Sequence, residues 1–370
     1  MGVSGAMARL QPVTGQVGGG DAARPLTLDL VGEGDLDAAA SFVLDLMEHP
    51  ATEIRVLEGQ LGLDDDLVVP GHPDDFELAP LSSVDAGTIW AIDGGSTVVA
   101  DGRSFQVAAY RVARVRFADG VTDAVESPPL TVRAVAGREM GRLATEILTR
   151  LCGAEPERLP DLPRPVDALR EWAEWSEILR TVQGAERGDL VLVDGSLHGG
   201  PLVPPAVVRR VHDASTARGV GLAGVVKAST LFWGRSAPLV SLLKRRGDRE
   251  VGQARWAARI STDPRFGRLY PGEIFVAHLA PTASHAFRVD VARGPIDAGE
   301  VLGRLAAVSD DAAFVGYPYP LARVHQAARV TGYAVVDVRR AFRGTLSRRG
   351  MSEDDIETLF QDFHEILNRS

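Results

Sequence analysis

Two acidic positions carry most of the chemical promise of this 370-residue sequence. Asp93 follows the apolar run T-I-W-A-I and precedes G-G-S, and Asp194 follows L-V-L-V and precedes G-S-L. A carboxylate at the end of a buried strand stands where open α/β sheets bind their ligands. The adjoining glycines would let a ligand or metal approach the backbone closely. Two such carboxylates on neighbouring strands form a hard oxygen site suited to magnesium or manganese. Asp-Gly is also a common turn pair, and each position could be a turn and nothing more.

The elements that must position these residues follow from apolar periodicity. Thr88 to Ile92 reads as a buried strand, with Ser104 to Phe117 as its antiparallel neighbour across an A-D-G-R turn. A third strand, P-L-T-V-R-A-V, leads into a helix over Arg138 to Cys152. A proline-rich linker between Glu155 and Val166 precedes a second helix, Val166 to Val182. Leu190 to Val193 and Leu222 to Val226 are continuous apolar runs, expected to be strands covered on both faces, the second ending at Lys227. Gly272 to Val291 has the pattern of a hairpin. G-Y-P-Y-P-L introduces a helix over Leu321 to Val330, then a strand Y-A-V-V-D-V and a C-terminal helix over 353–367. Upstream, residues 1–25 are Gly-rich and expected to be disordered. Residues 26–84 form an acidic N-terminal appendage with a helix from Asp35 to about Leu61. This order predicts an α/β protein with a mixed sheet flanked by helices, carrying an N-terminal helical appendage and inserted helices and a hairpin.

Composition narrows the setting. Residues 1–90 hold 16 acids and 3 bases, whereas the rest hold 34 acids and 37 bases, so the net charge of -10 is an N-terminal property. The remainder could present a basic surface. The single cysteine, Cys152, excludes an internal disulfide and a Cys-rich zinc site. The absence of a long apolar run and of an apolar N-terminal stretch points to a cytoplasmic protein without a membrane span.

Two enzyme classes use paired aspartates at strand ends. Actin-like ATPases and sugar kinases place an Asp-X-Gly hairpin under nucleotide phosphates; RNase H-like nucleases use one Asp on the first strand and another on the fourth. Four features in order separate them here: A-I-D-G-G-S, S-E-I-L-R on a helix, L-V-L-V-D-G-S-L, and G-Y-P-Y-P-L-A-R-V-H. Together they resemble the NurA nuclease family, over roughly residues 85–345, with residues 346–370 as a C-terminal helix.

The resemblance implies an RNase H-like core and a ring-shaped homodimer. It implies metal ligands at Asp93, Glu177, Asp194 and His325, with Tyr317 beside them and two manganese (or magnesium) ions bound. Glu177 lies 17 residues before Asp194, on the face opposite the apolar Leu169, Trp172, Trp175 and Leu179; Glu146, Glu171 and Glu174 are competing acids. Lys227 resembles the family's strand-terminal lysine and would neutralise a scissile phosphate, or else be an exposed strand-end lysine. His278, His285 and Asp290 show no ligand spacing and stay outside the site.

The implied activity is 5' to 3' exonuclease and single-strand endonuclease cleavage of DNA, with a HerA-type hexameric ATPase as partner. The chain has no phosphate-binding Walker A motif of its own, so translocation would come from that partner. Between Arg235 and Arg268, nine bases and three acids interleave with aromatics, and Lys244, Arg245, Arg246 and Trp233 are the candidate contacts to single-stranded DNA. The alternatives are an actin-like ATPase and a non-catalytic DNA-binding subunit on the same fold.

Overall fold

Strand-period alternation of apolar residues builds a central mixed sheet. The computed structural model describes residues 53–56, 67–70, 72–101, 105–160, 162, 164–229, 231–233, 237–260 and 272–360. The first strands are β1 (Glu53–Val56), β2 (Leu67–Pro70) and β3 (Ala79–Pro80). A meander follows: β4 (Ile89–Asp101), β5 (Phe105–Ala118), β6 (Val121–Glu126) and β7 (Thr131–Ala136). Helices α1 (Gly137–Cys152) and α2 (Pro165–Gly184) lead to β8 (Leu190–Asp194), α3 (Pro205–Arg218) and β9 (Gly221–Val226). Next come β10 (Leu231–Trp233), β11 (Ala237–Pro238), α4 (Leu239–Glu250), β12 (Trp256–Ile260), β13 (Gly272–His278) and β14 (Phe287–Ala292). The described chain ends in α5 (Ala298–Ala307), α6 (Tyr319–Ala328), α7 (Gly332–Arg348) and α8 (Glu353–Phe360).

The large sheet has the order β3-β12-β13-β14-β9-β8-β4-β5-β6, with β7 also on β5, and β4, β8 and β9 are mutually parallel. The other pairings in this sheet are antiparallel. Alternate residues of the parallel strands enter two different cores. Ile92, Val191, Val193 and Leu222 join the core under α1 to α4, whereas Ile89, Ala91, Leu190, Leu192, Ala223 and Val225 join the core under α5 and α6. A side-chain period of two therefore sends Asp93, Asp194 and Lys227 toward the α6 face. The sheet with helices on both faces is the α/β architecture read from the sequence.

Three local expectations need correction. Y-A-V-V-D-V is not a strand but the start of α7, capped by the Thr331 hydroxyl accepting from the Ala334 N–H. Its β-branched residues misled the reading, while Val338 and Phe342, four apart, pack on the small core of Val99, Val107 and Ala109. The helix expected to run from Asp35 to Leu61 is strand over Glu53–Val56, whose central residues pair with β10 and β2; its remaining residues lie outside the described ones. Finally, β4 does not end before Asp93 but continues through both glycines to Asp101.

The lead-in 1–25, the A-D-G-R turn beyond Asp101 and the C-terminal helix beyond Phe360 lie outside the described residues. No described helix is long and apolar enough to cross a membrane. Cys152 is a free, half-buried thiol.

Candidate active site

The parity of β4 and β8 sets two carboxylates side by side, and α6 crosses the same face to bring an imidazole to them. Asp93, Asp194 and His325 each offer a ligand atom, all within 4.8 Å of one another. His325 Nδ1 lies 2.7 Å from Asp93 Oδ2 and 3.9 Å from Asp194 Oδ2. Both aspartates are largely buried, while the imidazole is half exposed and opens the site to solvent. Burial raises the Asp93 carboxyl above its ordinary pKa, and the neighbouring Asp194 raises it further, against opposing contributions from His325 and Lys227. A buried pair of like charges beside a neutral-capable nitrogen donor is a set that a divalent cation would satisfy.

Lys227 and Tyr317 complete the wall. Lys227 Nζ sits 2.6 Å from Asp194 Oδ2 and 5.4 Å from the centre of the Tyr317 ring. The Tyr317 hydroxyl is buried without a well-formed hydrogen bond, and burial with the nearby Asp194 carboxylate holds it above the usual phenol range. It therefore stays protonated, a donor and not a base. The Y-P-Y-P turn places this ring against Phe287, and Pro320 occupies the first turn of α6, where a missing N–H costs nothing.

The structure does not bring Glu177 to the cluster. Its carboxylate is held by Arg180 at 2.7 Å and by Arg114 of β5 at 3.5 Å, away from Asp93 and Asp194. One turn earlier, Glu174 faces Gly94: a Cβ added at Gly94 would lie 2.3 Å from Glu174 Oε1. Glu174 is 14% exposed, paired with Arg170, and its pKa is pushed up to about 7 by burial, with Arg170 opposing and Asp93 adding to the rise. Gly95 is required for a different reason, because a Cβ there would lie 2.2 Å from the carbonyl oxygen of Ala328 at the end of α6. The Gly-Gly pair thus admits an acid from one face of the sheet and a helix end from the other. It was the available clue that a third carboxylate comes close to Asp93.

The serine of the second Asp-Gly-Ser has its own role. Ser196 Oγ donates to Asp290 Oδ2 at 3.0 Å, and the Leu197 N–H donates to the same oxygen at 3.1 Å. Arg288 Nε donates to Asp290 Oδ1 at 2.7 Å, and His198 Nδ1 lies 2.8 Å from Arg288 Nη2. Burial alone would raise Asp290, but Arg288 and His198 hold it well below the carboxylate range. This buried network ties the segment after Asp194 to β14. His278 bonds the carbonyls of Ala254 and Ala283 and is structural.

The expected DNA contacts around α4 are dispersed. Trp233 and Trp256 are core residues, Lys244 pairs with Asp248, and Arg246 pairs with Glu250 and caps the carbonyls of Pro73 and Phe76. Of the three basic residues only Arg245 is fully exposed. Aromatic residues at this spacing were satisfied by the core, which the sequence pattern cannot distinguish from a stacking surface.

No protein-family model and no curated protein matches the chain. Among solved structures, the NurA nuclease from Sulfolobus solfataricus aligns over 87% of this chain and 96% of its own, at 16% identity and a TM-score of 0.51. A NurA structure with manganese aligns over 85% of this chain and 98% of its own, at 10% identity and a TM-score of 0.46. The catalytic domain of human Endonuclease V aligns over 86% and 99%, at 14% identity and a TM-score of 0.34. The chain has the fold of the NurA nuclease.

Proposed function

We propose that this chain is a metal-dependent nuclease that hydrolyses phosphodiester bonds of DNA. The observation that carries this reading is the convergence of Asp93, Asp194 and His325 donor atoms within 4.8 Å on one face of a nuclease fold. Asp93, Asp194 and His325 would hold the cation, with Glu174 in the place the sequence assigned to Glu177. Manganese or magnesium, as one ion or a pair, would supply an activated water and offset charge on the leaving oxygen.

The chain's own groups account for the rest. Lys227 offers a cation beside Asp194 that can also meet a phosphate oxygen. Tyr317 is an unsatisfied buried donor on the same wall, available to an oxygen of the substrate. Glu174 closes the space beneath Gly94, and the carbonyl of Ala328 closes that beneath Gly95. Two oxygen acceptors against the A-I-D-G-G-S backbone disfavour the actin-like reading, in which that backbone would cradle an anion.

The finer terms of the proposal come from the resemblance: 5' to 3' exonuclease and single-strand endonuclease cleavage, a homodimer, and a HerA-type hexameric ATPase that feeds DNA to it. The test is incubation of end-labelled single-stranded DNA with manganese, magnesium or chelator, alongside Asp93→Ala. Cleavage that needs both metal and Asp93 is the expected result. Metal-dependent cleavage retained by the variant would sink the assignment.

A further inference from the structure

Several arginines around the sheet are committed to carboxylates. On β5, Arg114 pairs with Glu126 and Arg116 with Asp123; on α2, Arg170 pairs with Glu174 and Arg180 with Glu177. Two arginines beside the acid cluster are different. Arg111 and Arg329 have no carboxylate partner among the described residues. The Nε of Arg111 is buried without a hydrogen-bond acceptor.

Their placement follows from the register of the sheet. Asp93 stands opposite Ala113 on β5, and Gly95 stands opposite Arg111. Arg111 is therefore two residues along the strand from the catalytic carboxylate, about 7 Å at the usual strand rise. Gly95 is also where the end of α6 touches the sheet, through the Ala328 carbonyl and the Val330 N–H. Ser127 joins the two elements: its Oγ accepts from Arg111 Nη1 at 3.3 Å and donates to the Ala327 carbonyl at 2.8 Å. Arg329 is exposed on that same helix end, four residues after His325, and its N–H donates to the His325 carbonyl at 3.0 Å.

We propose that Arg329 and Arg111 form a phosphate-binding track on the α6 face that leads away from the acid cluster toward β5. Its ligand is the sugar-phosphate backbone of a single DNA strand. This inference rests on the nuclease reading above and adds to it a direction: the strand leaves the site on the β5 side, opposite the side on which Lys227 stands. Guanidinium groups suit this task because their planar donors meet phosphate oxygens in pairs. Each phosphate neutralised should release condensed counterions and make binding salt-dependent. A purely structural role for Arg111 and Arg329, compensating the carbonyl end of α6, would instead act on stability alone.

The test uses the full chain silenced by Asp93→Asn, with a fluorescent single-stranded oligodeoxynucleotide read by anisotropy across a range of salt. Adding Arg111→Gln and Arg329→Gln should weaken binding about tenfold and reduce the slope of log affinity against log salt by about 1.4, that is ~0.7 for each charge. Arg111→Lys with Arg329→Lys, which keeps the charges, should restore the slope and controls for folding. A double Gln variant with lowered melting temperature but unchanged affinity and slope overturns the track. If the unmodified chain neither binds nor cleaves DNA, the nuclease reading falls and the track with it; if it does both while the Gln variant binds equally well, the track alone falls.

Discussion

Asp93→Asn should stabilise the metal-free protein while abolishing its activity. The two aspartates place their clustered oxygens within 4.8 Å, and at an effective dielectric near 20 that separation corresponds to about 3.5 kcal/mol of repulsion. Lys227 and His325 relieve part of it. The asparagine keeps the shape of the side chain and can still bond His325. A net gain of ~1–2 kcal/mol is expected, or roughly 1–3 °C in melting temperature for a chain of this size. Manganese should reverse the ranking, because a ligand at a hundred times its dissociation constant stabilises the parent by about 2.7 kcal/mol and the weakened site far less. Thermal melts of both proteins in chelator and in manganese decide the matter. A variant less stable than its parent in chelator, or one shifted equally by the metal, would refute the idea that the cluster is an uncompensated cation site.

Glu174→Gln should cost at least tenfold in cleavage and weaken manganese-induced stabilisation, whereas Glu177→Gln should lower stability by about 1 kcal/mol through its lost ion pairs and leave the metal response in place; paired activity and melting measurements separate the two. Because Glu174 titrates near 7 in the fold against 4.5 ordinarily, the folded state binds more protons than the unfolded one between those values. Stability in chelator should therefore be present at pH 5 and be lost as pH rises to about 8, by up to ~3 kcal/mol from this group; melts that show no decline, or an equal decline in Glu174→Gln, contradict it. Gly95→Ala should destabilise by more than 3 kcal/mol, since its Cβ would meet the backbone of α6 and not a side chain that can move aside; an alanine variant within 1 kcal/mol of its parent in urea melts would show that α6 can shift.

The parts of the fold that the sequence made legible are those in which local pattern and tertiary environment agree. Leu190 to Val193 and Leu222 to Val226 are apolar on both sides because two separate cores use their alternate residues. α2 is legible for the same reason, with Leu169, Trp172 and Leu179 buried on one face. Y-A-V-V-D-V failed because β-branching is a weak preference that a capping threonine and a four-residue apolar spacing overrode. The end of β4 failed because Asp-Gly-Gly is ordinarily a turn, whereas here neighbouring groups occupy the room the glycines leave.

Within the site, what could be read differed by the kind of constraint. Asp93 and Asp194 are marked by strand parity, a local rule, and His325 by a motif; the described structure brings all three together. The choice among the acids of α2 depends on which of them meets Gly94, and helical amphipathicity does not fix it. Glu177 and Glu174 are equally covered, but Glu177 turns to Arg114 and Arg180 whereas Glu174 lies against Gly94 beside Asp93, at the cost of its own desolvation. The acid beside Asp93 should therefore be accompanied by a cation four residues away and face a position without a side chain. Arg170 and Gly94 are those companions of Glu174. A glycine beside a strand carboxylate, taken with an i, i+4 Arg–Glu pair on the covering helix, is a more discriminating pattern than the spacing of any single glutamate.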